Sequence, residues 1–362
     1  MGAERLSEIS WEAFRQLDPL QKARYLTEDG REVHVLLSQQ FDRARLDRIG
    51  ELATMVRRIA KTEDGMAFLR SLLAHKRAML YFTQPSSRTF LSFCAACQIL
   101  GIQIGEVRDA SVSSELKGET REDSVRTFSS YFDLIIMRTE ISGFAEQMAW
   151  ILSNSERPIP VINAGSGKDQ HPTQALLDIY TLQRSFETRG GIDGKTIVFV
   201  GDLARGRTVR SLAFLLTNYR KVRQCFVAPP SLQIGEDILA MLRKAGCEFE
   251  VGTEFEPIIP RADAIYMTRV QREWDRDGES GKIDVGRYSF EVRHLQMLGP
   301  DAVLMHPFPR TVEIPPAVDK DPRAVYWRQM RNGMWIRVAL IAGMFDRDSS
   351  IRRYYADIPA SP

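Results

Sequence analysis

A few short segments of this chain concentrate residue types that act on anions and carbonyl groups. Pro85-Ser86-Ser87-Arg88-Thr89 sets three hydroxyls around a guanidinium. At the start of a helix, that set and its exposed backbone N–H groups make a cradle suited to phosphate. Ordinary N-capping needs one Ser or Thr, and neither Arg88 nor the second serine. Arg138 follows an apolar LIIM run, and NAGSGKDQHPTQ (163–174) offers His171 and Gln174 from a glycine-rich loop. Pro172 holds the backbone before it extended, and His171 suits a polarising or proton-handling role as well as a core or capping one. GDLARGRT (201–208) nearly matches the nucleotide phosphate loop but carries Arg207 in place of its lysine. Arginine is no neutral replacement for that compact charge, and at a helix start Arg207 suits a carboxylate better. Tyr266-Met-Thr-Arg269-Val-Gln271 presents Arg269 and Gln271, again fitted to a carboxylate, and the prolines of His306-Pro307-Phe308-Pro309 make a rigid loop.

Each segment follows an apolar run that reads as a strand and precedes a helical pattern. Strands are expected at 78–82, 134–137, 160–163, 195–200, 224–228, 264–267 and 302–305. Helices are expected within 38–73, from near Thr89, from Gln174, at 207–216 and at 234–245. Leu46, Ile49, Leu52, Val56 and Ile59 recur at three- and four-residue steps, as do Phe90, Phe93, Cys94 and Cys97. Strand and helix in alternation over this length predict an α/β protein with two successive domains, each a parallel sheet flanked by helices. Ligands of such sheets sit at the carboxyl ends of strands, where these residues fall. Four arginines with His171, Gln174 and Gln271 thus predict one phosphate and one carboxylate-bearing substrate, hence group transfer from a phosphorylated small molecule. No Ser-His-Asp order, catalytic carboxylate pair or metal-ligand cluster competes, and no metal or cofactor is expected.

Composition narrows the class. The chain has 362 residues, 44% hydrophobic, 27% charged and 9% aromatic, in the globular range. Lys plus Arg is 49 against 47 acidic residues, a net charge of +2, which gives no whole-protein field for nucleic acid. Any anion site must be local. Cys94 and Cys97 form a C-x-x-C pair on an apolar helical stripe with no second pair at metal spacing, so buried structural thiols are expected. A reducing, cytoplasmic compartment fits four scattered cysteines. No apolar run approaches the ~18 residues of a membrane span. The first residues lack a secretory core, and Leu6 breaks the myristoylation pattern that Gly2 begins.

SSRT, MR, HPTQALLD, GDLARGRTVRSL, YMTRVQ and HPFPR occur in the order and spacing of the aspartate carbamoyltransferase catalytic chains, which the sequence resembles from about His34 to near residue 350. Ornithine carbamoyltransferases share the first half of this set but typically carry a cysteine in the late loop, here His306 to Pro309. The resemblance implies transfer of the carbamoyl group of carbamoyl phosphate to the α-amine of L-aspartate, an early step of pyrimidine synthesis. It implies that Ser86, Ser87, Arg88 and Thr89 hold the phosphate, and that Thr89, Arg138 and His171 polarise the carbonyl oxygen. Gln174 with the backbone of Pro307 and Phe308 would orient the carbamoyl NH2, Pro309 shaping the loop. Arg207, Arg269 and Gln271 would bind aspartate. Ser113 and Lys117 resemble residues given by a neighbouring subunit, Lys117 also reaching aspartate, which implies a homotrimer with shared sites. Regulatory or other pathway-enzyme chains are further partners that such a chain can have. The implied domains are an extension over 1–33, a carbamoyl-phosphate domain over 34–182 with 326–362, and an aspartate domain over 183–325. The active site would lie in the cleft between the two domains.

The sequence also departs from that pattern. Phe90 replaces a usual second arginine, Gln84 a usual glutamate, and Trp274 an arginine common in bacterial relatives. In those relatives that glutamate bridges the domains through salt links, one of them to this arginine, so their joint loss implies a different closure. Two alternatives follow: an impaired homologue serving as a binding or scaffolding subunit, and a carbamoyltransferase with another amine acceptor. Intact Arg207, Arg269, Gln271 and Lys117 weigh against both.

Overall fold

The computed structural model describes residues 4–108, 118–167, 170–270 and 285–358. The chain divides into two units, Met1–Thr173 with Gly333–Pro362, and Gln174–Asn332.

The first unit begins with α1 (Trp11–Gln16) and α2 (Pro19–Arg24), then a small hairpin of β1 (Thr27–Glu28) and β2 (Arg31–Glu32). Ser10 caps α1, and Asp18 with Gln21 forms a capping box on α2, where Pro19 takes the first position that needs no N–H. Helices α3 (Arg43–Ile59) and α4 (Glu63–Ser71) lead into β3 (Arg77–Phe82), α5 (Ser87–Ile99) and β4 (Gln103–Val107). Then come α6 (Arg121–Tyr131), β5 (Leu134–Thr139), α7 (Phe144–Ser153) and β6 (Val161–Ser166). The four strands β3 to β6 form a parallel sheet in the order β4-β3-β5-β6. From β3 the chain winds out to β4 and then crosses to β5, so the winding reverses between β3 and β5.

Residues before His34 pack into this unit. Leu6, Phe14 and Leu26 are buried in one cluster with Met79, Tyr81, Met148 and Leu152. The Trp150 indole donates to the Ile9 carbonyl at 2.8 Å, and Lys22 pairs with Glu146 on α7. These contacts lay a second layer over α7. Past that segment, Val35 pairs with Val161 and Asn163 and closes the free edge of β6, which would otherwise expose unpaired backbone groups. The C-terminal helix α12 (Asp348–Ala356) also packs in this unit, Tyr354 stacking on Phe68 at 3.9 Å.

The second unit carries β7 (Thr196–Val200), α9 (Arg207–Leu216), β8 (Arg223–Val227), α10 (Glu236–Lys244) and β9 (Glu248–Gly252), then β10 (Ala264–Met267) and β11 (Val303–Met305). These five strands form a parallel sheet in the order β11-β10-β7-β8-β9, which reverses between β7 and β10. The division between units falls inside α8 (Pro172–Ser185) and α11 (Tyr326–Met344).

The expected alternation of strand and helix in two parallel sheets is the architecture found. Helix α5 begins at Ser87, earlier than the apolar stripe indicates, because its first turn is polar. Strands β4 and β9 carry no apolar run in the sequence because both are sheet edges with half-wet side chains. All four cysteines are free; Cys97 and Cys225 are buried, while Cys94 and Cys247 are half-buried. Burial raises every one of their thiol pKa values, Cys97 to about 12, which makes them packing residues and poor nucleophiles. Among the described residues no cluster of metal-ligating side chains occurs, and no helix is long and apolar enough to cross a membrane.

Candidate active site

In parallel sheets the carboxyl ends of the two strands flanking a reversal splay apart, and the loops leaving them open a crevice. In the first unit that position lies between β3 and β5. The chain leaving β3 carries Ser86 to Thr89, and Arg138 sits at the end of β5, in register with Phe82. The Gln84 N–H donates to the Arg138 carbonyl at 3.2 Å, so the two loops are tied together. Ser86 occupies the N-cap of α5, yet its hydroxyl makes no capping bond. Ser87 and Arg88 are exposed, Ser86 is half-buried and Thr89 is buried. A helix N-terminus with an uncommitted cap hydroxyl and a neighbouring guanidinium presents its positive end to an anion.

The Arg138 guanidinium donates to the Ala164 carbonyl of β6 at 3.1 Å, which fixes one edge of its fork. His171 is buried, at the end of a loop pinned by Gln170. Gln170 accepts from the Ser38 N–H at 2.7 Å and donates to Gln39 at 2.8 Å. Phe90, the departure nearest this site, is buried edge-on against Phe82 with the Arg108 guanidinium 4.4 Å over its ring. It fills the apolar stripe as its spacing implies.

In the second unit the reversal lies between β7 and β10. Arg207 begins α9 after the loop leaving β7, and Arg269 follows β10; both are half-buried. Gly201 allows these loops to meet, since its φ is +113° and a Cβ there would lie 2.3 Å from the Thr268 carbonyl oxygen. The glycine of the near-match to a phosphate loop thus serves the close approach of the β7–α9 loop to the end of β10.

The loop after β11 is held by His306. Its N–H donates to Gln329 Oε1 at 2.9 Å, its Nδ1 accepts from the Phe308 N–H at 2.8 Å, and its Nε2 lies 2.7 Å from Glu313. An accepting Nδ1 puts the proton on Nε2, facing the carboxylate. Burial alone would raise the Glu313 pKa, but hydrogen bonds from His306 and Thr311 hold it down to about 2. That buried pair keeps Phe308 in a left-handed conformation at φ +56°, with a cis Phe308–Pro309 bond. Pro307 and Phe308 are half-buried and Pro309 exposed.

Gln174, at the start of α8, donates to Asp178 at 3.0 Å. Asp178 also accepts from Tyr266 and Gln329, a role without a signal in the sequence, where a lone Asp in an apolar helix belongs to no motif. Ser113, Lys117, Gln271 and Trp274 lie outside the described residues.

Residues 33–184 match the family described as aspartate/ornithine carbamoyltransferase, carbamoyl-P binding domain. Residues 193–344 match its Asp/Orn binding domain. The chain is 42% identical over 315 residues to the chloroplastic aspartate carbamoyltransferase of Oryza sativa, covering 85% of this chain and 83% of that one. It is 40% identical over 310 residues to the aspartate carbamoyltransferase catalytic subunit of Vibrio cholerae, covering 85% and 95%. A crystal structure of aspartate transcarbamoylase from Trypanosoma cruzi with N-(phosphonacetyl)-L-aspartic acid superposes with a TM-score of 0.76 at 34% identity, over 85% of this chain and 94% of that one. The matched segments leave most of residues 1–33 outside.

Proposed function

The chain belongs to the aspartate/ornithine carbamoyltransferase family, and from that premise we infer that it transfers the carbamoyl group of carbamoyl phosphate to L-aspartate, giving N-carbamoyl-L-aspartate and phosphate. The observation that carries this reading is the placing of arginines at both sheet reversals, Arg138 beside the Ser86–Thr89 turn and Arg207 with Arg269. The aspartate type is supported by relatives of that name and by a Trypanosoma cruzi structure in complex with carbamoyl aspartate and phosphate.

In this reading Ser86, Ser87, Arg88 and Thr89 take the phosphate, while Thr89, Arg138 and His171 face the carbonyl oxygen. The α-amine attacks the carbonyl carbon, negative charge gathers on that oxygen, and phosphate leaves as the tetrahedral intermediate collapses. Removing one such oxyanion donor lowers kcat by about 10²–10³-fold in comparable sites. Gln174 and the Pro307–Phe308 backbone receive the carbamoyl NH2, with Pro309 shaping the turn. Arg207, Arg269 and Gln271 hold the aspartate carboxylates. Ser113 and Lys117 come from a neighbouring subunit, so the active species is a homotrimer. A carbamoyl-phosphate domain over 34–182 with 326–362 and an aspartate domain over 183–325 complete the reading. Four free cysteines favour a reducing compartment, the cytoplasm on the sequence alone; relatives in Oryza sativa and Arabidopsis thaliana are named chloroplastic.

The test is steady-state formation of N-carbamoyl-L-aspartate by the purified full chain, with L-aspartate and L-ornithine as parallel acceptors. Turnover with aspartate alone is expected. Turnover with ornithine, or with neither, overturns the assignment, and absent turnover with tight binding of N-(phosphonacetyl)-L-aspartic acid would indicate a binding subunit.

A further inference from the structure

We infer that Asp178 is the positioning residue that turns two acceptor groups of the second unit toward the carbamoyl NH2. The inference rests on the reading that Gln174 and the Pro307–Phe308 backbone receive that NH2. Asp178 is fully buried on α8, one turn beyond Gln174. Its Oδ1 accepts from Gln174 Nε2 at 3.0 Å and from Gln329 Nε2 at 2.7 Å, and its Oδ2 accepts from the Tyr266 hydroxyl at 2.8 Å.

A carboxylate only accepts, so it decides which end of each glutamine amide faces it. Both NH2 groups turn inward to Asp178, and both Oε1 atoms turn away. For Gln329 the consequence is visible: its Oε1 takes the His306 N–H at 2.9 Å. His306 in turn fixes Phe308 through Nδ1, so the loop that offers its carbonyls is set from Asp178. For Gln174 the same rule presents Oε1 outward as an acceptor. A carbamoyl NH2 is a donor, and the flipped amide would set NH2 against NH2.

Tyr266 extends the control. Its buried hydroxyl donates to the same carboxylate through Oδ2. Tyr266 precedes Arg269 at the end of β10. One carboxylate therefore joins the start of α8, the end of β10 and, through Gln329, the loop after β11. Neutral donors around a buried charge gain strength from the low local dielectric, which stiffens this set.

The test compares two unreactive mimics, phosphonoacetamide and acetonylphosphonate, which share phosphonate and carbonyl and differ only by NH2 against CH3. Calorimetry on the full chain gives the ratio of their Kd values. The wild-type chain prefers the amide; Asp178→Leu, with no acceptor, shrinks that preference about tenfold, the usual scale for a lost buried hydrogen bond to a charged group. Asp178→Asn keeps one acceptor oxygen and falls between. Inorganic phosphate, bound through Ser86 to Thr89, keeps its Kd in each folded variant. A merely structural role would weaken both mimics equally, so an unchanged ratio in either variant that still binds phosphate overturns the inference. If Asp178→Leu fails to fold, Asp178→Asn decides alone. Wild-type protein that makes no N-carbamoyl-L-aspartate overturns the underlying reading instead.

Discussion

Acid is expected to loosen the first unit through a single imidazole, His34. This residue stands where the N-terminal layer meets the family-matched chain, beside the edge of β6. It is 2% exposed, its Nδ1 accepts from the Val161 N–H at 3.1 Å, and its Nε2 lies 2.9 Å from Ser153 Oγ. A proton on Nδ1 would set N–H against N–H, and burial lowers the pKa from 6.5 to about 4. The unfolded chain therefore takes up this proton near pH 6.5, while the folded chain resists it until about pH 4. Stability from this residue is complete above pH 6.5 and declines as pH falls, by about 2 kcal/mol at pH 5 and about 3 kcal/mol near pH 4. Hydrogen exchange of peptides spanning residues 31–41 and 157–165, corrected for intrinsic rates, reads this opening locally. Between pH 7.5 and 5 the wild-type protection factor should fall about 30-fold more than that of His34→Gln, whose amide accepts without titrating. Equal pH dependence in the two proteins would refute the reasoning.

Two further substitutions probe the N-terminal layer and the first turns of α5. Phe14→Ala removes a fully buried ring packed edge-on to Tyr25 at 6.0 Å and should cost about 3–5 kcal/mol, read as a fall in Tm. A Tm within a degree of wild type would mean that the N-terminal layer contributes nothing to the core. Phe90→Arg restores the family's usual arginine but buries its charge beside Arg108, and should destabilise by about 3 kcal/mol without raising kcat. Higher kcat/KM at an unchanged Tm would contradict the packing role given to Phe90.

What the sequence determined by itself is mostly local and covalently ordered. The runs LIIM and AIYM are strands because apolar, β-rich stretches between turn signals have few alternatives. Ser86-Ser87-Arg88-Thr89, Arg207 and His306 each stand at a loop after such a run, a placing that was legible from residue type and order along the chain. Strand order was not, because a parallel crossover is compatible with either neighbour, and only packing decides that β3 lies between β4 and β5. That order puts Arg138 beside the Ser86 turn, and the second sheet's order puts Arg207 and Arg269 on one reversal. The N-terminal segment shows the same limit: nothing local names what Phe14 and Leu26 pack against, and only the fold brings them into one cluster with Met148 and Leu152 of α7. Asp178 is the clearest case. Its neighbours Gln329 and Tyr266 lie 151 and 88 residues away in the chain, so a hub of hydrogen bonds that orients two amides exists only once the fold has brought them to one carboxylate.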